Sequence, residues 1–178
     1  MIMALSGRRI DSSDADEARF PLGNVGRVSR AVEALLSTNG VMVLVSSAAC
    51  GADLIGLSEA RKLGVRQRVV LPFSRERFRT ESVVDRPGEW GALYDMIVDD
   101  VGAKGDLVIM AETTGIDPYA AANSVILDEA AAMGQERHDA VVAVMVWDGT
   151  PRGDPDYTAD FGAEARKRGL KLLELNTR

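Results

Sequence analysis

The chain's 178 residues, 46% hydrophobic and 27% charged, suit one soluble globular domain over residues 1–178 with a sizeable core. A formal net charge of −6 argues against a general affinity for nucleic acid or an anionic membrane, since both need a positive field. A single cysteine excludes an internal disulfide, and no apolar run reaches the roughly 18 residues of a membrane span, so a cytoplasmic protein is expected.

Along the chain, Met1 to Leu5 reads as a short buried strand ending at Ser6-Gly7. The opening stretch lacks the basic start and longer apolar run of a signal peptide. An acid-rich segment follows to Phe20-Pro21. Apolar residues then recur at Val25, Val28, Val32, Leu35 and Leu36, which is helical spacing, closed by Asn39-Gly40. Val41 to Val45 is continuous and β-branched, the pattern of a strand buried on both faces. A helix is predicted from about Gly51 to Leu63 and a strand over Arg68 to Leu71. The charged segment "SRERFRTESVVDRPGEW" reads as loop. A helix is predicted over Glu89 to Val101, with Trp90, Leu93, Ile97 and Val101 on one stripe. Strand Leu107 to Ala111, helix Pro118 to Met133, strand Ala140 to Trp147, helix Thr158 to Arg168 and strand Leu170 to Leu175 complete the chain.

Strand and helix alternate almost throughout, and the strands are uniformly apolar. The expected fold is α/β: a Rossmann-like three-layer sandwich with a mostly parallel sheet of about six strands. In such sheets ligands settle beyond the carboxyl ends of the strands. Those ends are Ser6 to Arg9, Ser46 to Asp53, Pro72 to Thr80, Glu112 to Tyr119 and Asp148 to Thr158.

The second of these, "SSAACGAD", combines small residues with one acid. Ser46, Ser47 and Gly51 offer hydroxyls and backbone N–H groups at a helix start that favours an anion. Asp53 suits sugar hydroxyls better than phosphate. Alternatively Ala48, Ala49 and Gly51 allow tight helix–sheet packing while Asp53 stabilises the first turn. Spacing alone leaves the two readings level. Neither a GxxxxGK[ST] P-loop nor a GxGxxG fingerprint is present.

"SSAACGADLIGLSEA" resembles the strand–turn–helix signature of the SLOG superfamily, the Rossmann-like group that includes the DNA-processing protein of natural transformation and the Lonely-guy phosphoribohydrolases. "SGRRID", "EARFP", "RVVLPFSRERFRTESV", "VWDGT" and "YTADFGAEARKRGL" extend the resemblance, in order, to bacterial SLOG-like domains with a SAACGAD turn. The resemblance implies a site for a nucleotide or an ADP-ribose-like derivative at the strand ends, in a signalling module with no cofactor. The implied binding residues are Gly7, Arg8, Ser46, Ser47, Gly51, Asp53, Asp148, Gly149 and Thr158, with Arg8 and Arg19 pairing with phosphate or, alternatively, forming surface salt bridges with the many nearby acids. The chain departs from the phosphoribohydrolases in lacking their PGGxGTxxE stretch, and Asp156-Tyr157 stands where related sequences carry a glycine pair. Tyr157 in that place narrows the pocket or stacks on a base.

Two functions follow from the resemblance, beside DNA binding as in the transformation protein, a third that the net charge opposes. One is a sensor that reports nucleotide binding to an effector protein or fused domain, with a dimer or tetramer left open. The other is a hydrolase of an N-glycosidic or phosphoester bond, with Asp53, Asp148 or Asp160 as the candidate catalytic acids.

Other constellations carry bland alternatives. Cys50 near a helix start and His138 in a polar turn lack the third member of a triad. A Cys/His metal cluster is excluded by count, and no metal is expected; a magnesium site on Asp95, Asp99, Asp100 or Asp148 is left open beside simple solvation. "RFPLGN" and "LPFSRERFRTESV" read as a lid or as charged crossover loops. Trp147 reads as pocket lining or core, and Asn123 as a ligand contact or a cap. Arg66, Arg68, Arg75, Arg77 and Arg79 read as a basic patch or a solvated face.

Overall fold

The computed structural model describes residues 1–111 and 114–178; Glu112 and Thr113, which open one of the expected strand-end segments, lie outside the described residues. Six strands form one parallel sheet: β1 Ile2–Gly7, β2 Val43–Ser46, β3 Arg66–Leu71, β4 Leu107–Ile109, β5 Val141–Trp147 and β6 Lys171–Asn176. Their order is β4-β3-β2-β1-β5-β6, every adjacent pair parallel. This is the expected Rossmann-like layout.

Side chains alternate across the sheet with the two-residue period of a strand. Met3, Leu5, Leu44 and Val144 point into one core with α1 Val25–Thr38, α2 Ala52–Lys62 and α4 Trp90–Ala103. Ile2, Ala4, Val43 and Met145 point into the other with α5 Pro118–Arg137 and α6 Tyr157–Lys167. From β1 the chain winds outward to β4, then α5 carries it back across β3, β2 and β1 to β5. The topological switch point therefore lies between the carboxyl ends of β1 and β5. No helix among the described residues is long and apolar enough to cross a membrane.

One stretch differs from expectation. Within the segment read as loop, Arg75–Ser82 forms a helix, α3. Ser74 caps it by accepting the Arg77 N–H at 3.3 Å, Arg77 and Glu81 pair at i,i+4, and Phe78 and Ser82 turn inward one turn apart. Phe78 stacks on Tyr94 at 6.1 Å and meets Phe73 at 5.9 Å. The net polarity of the segment hid a two-residue buried stripe with a single apolar member, so this part of the expected lid is a packed helix.

At the switch point the structure closes with ions. Arg8, 3% exposed, donates from Nε to Asp148 Oδ1 at 2.9 Å, from Nη1 and Nη2 to Asp156 at 2.5 and 2.9 Å, and from Nη2 to the Thr150 carbonyl at 2.8 Å. Asp148 also accepts from Arg19 at 2.8 Å and Arg178 at 3.0 Å. Asp156 caps α6 through the Ala159 N–H. Burial pushes Asp156 upward, but the Arg8 guanidinium and the Arg152 and Ala159 amides outweigh it and hold the carboxyl below its ordinary value. The end of β1, the end of β5 and the start of α6 are thereby one unit.

Removing one member of a buried ion cluster strands the others without water. Arg8→Met is expected to destabilise the fold by about 3–5 kcal/mol. Lys104→Ala, which breaks an exposed pair with Asp100, is expected to cost under about 1 kcal/mol. Denaturant unfolding of both variants checks the contrast.

Candidate functional site

A cleft of about 380 Å³ opens at this edge of the sheet, within the roughly 300–1,000 Å³ typical of small-molecule sites. Gly7 at the end of β1 and Pro72 after β3 contribute from the sheet side. Ser47, Ala49 and Asp53 come from the β2–α2 turn, Tyr119 and Asn123 from the first turns of α5, and Tyr157 and Thr158 from the start of α6. More of the wall comes from the segment Arg8 to Arg19 and from Phe78, Ser82, Arg86 and Arg152. Buried Ile10 and Phe20 anchor that segment, and the Asp11 carboxylate ties it together by accepting the Arg19 and Phe20 N–H groups.

The small residues of the β2–α2 turn divide by direction. Ala48, Cys50 and Ala52 are fully buried. Ala52 N–H donates to the Arg8 carbonyl at 3.1 Å. Gly51 sits at φ +96°, and a Cβ there would lie 2.7 Å from that same oxygen. A Cβ on Gly7 would collide with Ala52 and the Val146 carbonyl. These positions are small because β1 and α2 touch there.

Ser47 and Asp53 face the cleft instead. Asp53 is 7% exposed and accepts the Ala49 N–H on Oδ2 at 3.3 Å, while its Oδ1 has no partner. Burial is the largest influence on its carboxyl; it outweighs the Ala49 hydrogen bond, the neighbouring Gly7 amide and Ser46 hydroxyl and the nearby Arg9 charge, and pushes the pKa up to about 7. Near neutral pH this group exchanges between acid and base.

Among the described residues, four buried side-chain polar atoms lack a hydrogen-bond partner: Ser47 Oγ, Asp53 Oδ1, Gln67 Oε1 and Arg86 Nε. Buried polar atoms in native proteins are nearly always satisfied. Ser47, Asp53 and Arg86 all line this one cleft. An acceptor, a hydroxyl and a guanidinium donor stand in its wall without a protein hydrogen-bond partner.

The cleft also has an aromatic side. Tyr119 and Tyr157 lie 5.3 Å apart with ring planes inclined at 33°, and Tyr119 sets its edge against Phe73 at 5.5 Å. Tyr157 donates to Asp117 Oδ2 at 2.8 Å, and burial pushes its hydroxyl up to about 12, so it stays neutral. Asn123 Nδ2 donates to the Tyr157 carbonyl at 2.7 Å and fixes the start of α6 beside α5.

Of the expected site residues, Gly7, Arg8, Ser47, Asp53 and Thr158 line the cleft; Ser46, Gly51, Asp148, Gly149 and Asp160 do not. Ser46 Oγ donates to the Leu5 carbonyl, Asp148 is buried beneath three arginines, and Asp160 is exposed on α6. Arg8 is at the cleft, but four hydrogen bonds to Asp148, Asp156 and Thr150 occupy its fork, and Arg19 is held by Asp148 and Glu17. Trp147 is core and donates to Glu174. Cys50 follows β2 and His138 precedes β5, at opposite edges of a parallel sheet, so they form no nucleophile pair; burial pushes the Cys50 thiol up to about 11. Asp95, Asp99, Asp100 and Asp148 each pair with an arginine. Residues that the sequence reading passed over are Tyr119, Arg86 and Arg152; Tyr119 and Arg152 stood in the expected strand-end segments and carried the signal of position alone.

No family model matches the chain, and no curated protein matches it. A solved structure similar to it is that of DNA processing protein A (DprA) from Streptococcus pneumoniae, 15% identical, with a TM-score of 0.38 over 96% of this chain and 57% of that one. This chain thus spans little more than half the length of that protein.

Asp53 titrates near 7 in the fold against about 4 in an unfolded chain. Between those values the folded state keeps a proton that the unfolded state has released, so Asp53 removes stability as pH rises through that window and adds no further loss above it. Asp53→Asn carries no charge to bury. Its stability relative to the parent protein is expected to grow from about pH 4 to about pH 7, by on the order of 2–4 kcal/mol, and then level off. Denaturant unfolding of both proteins across that range checks it; parallel curves contradict the assignment.

Proposed function

We propose that the cleft binds a nucleotide or nucleotide-derived ligand of the ADP-ribose kind. The observation that carries this reading is the pair of unpartnered polar atoms, Ser47 Oγ and Asp53 Oδ1, in the wall of a switch-point cleft. A vicinal diol such as that of ribose supplies donors and acceptors that match both. The Tyr119–Tyr157 pair offers a surface on which a base stacks. In this reading the chain, as one domain, is a sensor whose bound state is passed to an effector protein or a fused domain. Net charge describes the whole surface and does not set the sign of this arginine-lined cleft, so the expectation against nucleic acid is not carried forward.

A second reading is favoured by the carboxyl of Asp53, which titrates near neutrality inside the cleft. Of the three candidate catalytic acids it alone lines the cleft. As general base it takes a proton from water while the water oxygen attacks the anomeric carbon; the bond to the nucleobase breaks, its electron pair stays on the nucleobase nitrogen, and solvent protonates that nitrogen.

A thermal-shift screen against AMP, ADP, ATP, NAD, ADP-ribose and cyclic nucleotides, followed by product analysis, separates the readings. A ligand at about 100 times its dissociation constant adds about 2.7 kcal/mol to the folded state. Stabilisation with intact ligand is the expected result, and Asp53→Ala is expected to abolish most of it. Release of free base or ribose phosphate establishes the hydrolase. No shift with any member contradicts the nucleotide reading.

A further inference from the structure

Three helices begin at the cleft, and the start of a helix is the usual seat for a phosphate. Here each start carries an aspartate of the chain itself. Asp53 stands in the first turn of α2 and accepts the Ala49 N–H. Asp117 caps α5 by accepting the Tyr119 and Ala120 N–H groups at 2.9 and 3.1 Å. Asp156 caps α6 through Ala159 N–H and also takes the Arg152 N–H. A phosphate placed at any of these would meet a carboxylate and find donors already in use.

The arginines around the cleft divide in the same way. Arg8 and Arg19 are filled, and Arg9 is held by Asp85 and the Glu81 carbonyl. Two are not. Arg86 Nε forms an ion pair with Asp85 Oδ2 at 3.3 Å, without the geometry of a hydrogen bond, and is buried with no hydrogen-bond partner. The Arg152 guanidinium, exposed at the mouth, makes no hydrogen bond or ion pair with any described residue. Its pKa is lowered by partial burial and by Arg8, Arg9 and Arg19, which together outweigh the attraction of Asp156, so four like charges gather at one rim. Such a rim is stabilised by an anion from outside.

We propose that Arg152 and Arg86 form an anion subsite at the mouth of the cleft, so that its ligand carries a phosphate that the helix starts do not hold. This rests on the nucleotide reading above for the rest of the ligand. The guanidinium forks meet phosphate oxygens at the rim, while the sugar lies deeper against Ser47 and Asp53. The ligand class is therefore a phosphorylated nucleoside, and a bare nucleoside or base is discriminated against.

The test is calorimetric binding of adenosine, AMP and inorganic pyrophosphate to the intact chain, to Arg152→Gln and Arg86→Gln, and to Arg30→Gln. The last makes the same charge change on the exposed surface of α1, outside the cleft. The parent protein is expected to prefer AMP over adenosine by about tenfold or more, one charge-assisted bond being worth about 1.5–3 kcal/mol. Each rim variant is expected to lose most of that preference and its pyrophosphate binding while holding adenosine as before, and Arg30→Gln to change neither. Equal binding of adenosine and AMP, or an AMP preference that survives both rim variants, overturns the subsite and leaves the nucleotide reading standing. Pyrophosphate bound only when Arg152 and Arg86 are present, with neither adenosine nor AMP bound, upholds the subsite and sinks the nucleotide reading. Absence of binding by all three probes overturns both.

Discussion

The contact on which the rest of the architecture depends is the buried guanidinium of Arg8 between Asp148 and Asp156. A parallel sheet opens a crevice where its strand order reverses, and such a crevice has no backbone ladder to hold its walls together. Arg8 leaves the end of β1 and its donors reach the end of β5 and the cap of α6. Three buried charges are costly to remove from water, and their cost is met only because every oxygen and most N–H groups are paired in good geometry. The consequence is positional. With Arg8 locked, the chain that follows it is directed along the mouth of the cleft, and its carbonyl receives the first amide of α2.

That same contact explains why the turn after β2 is made of small residues. The close approach of Gly51 and Ala52 to the Arg8 carbonyl is an approach of protein to protein. Around this tight joint, Ser47 and Asp53 are left facing the cleft with unpartnered atoms. The two readings of "SSAACGAD" therefore fall on different residues: the glycine and the buried alanines pack, and Ser47 and Asp53 line the cavity. The acid near the helix start is unsuited to a phosphate, and in a nucleotide complex it belongs with the sugar.

The fold was legible because strands buried on both faces announce themselves as apolar runs, and because Gly40, Gly64 and Gly169 mark where chain direction changes. The switch point was legible in kind from the alternation of elements. Helix α3 was not, since its stripe is one phenylalanine and one serine in a strongly charged segment. At the site, residue type told less than partner. Nothing in the sequence distinguishes Arg8, whose fork is filled by Asp148 and Asp156, from Arg152, whose guanidinium is not; the acids that decide the matter lie about 140 residues away from Arg8. Likewise Asp53, Asp148 and Asp160 are equivalent as letters, and only burial and neighbours separate a cleft acid from an ion-cluster acid and a surface acid.

The central claim is that Ser47 Oγ and Asp53 Oδ1 lack protein partners because a ligand completes them. The measurement that bears on it most directly is a high-resolution crystal structure of the protein grown with AMP or ADP-ribose. The account predicts ribose oxygens within about 2.5–3.2 Å of both atoms. Ligand bound elsewhere on the molecule, with both atoms satisfied by ordered water alone, would contradict it.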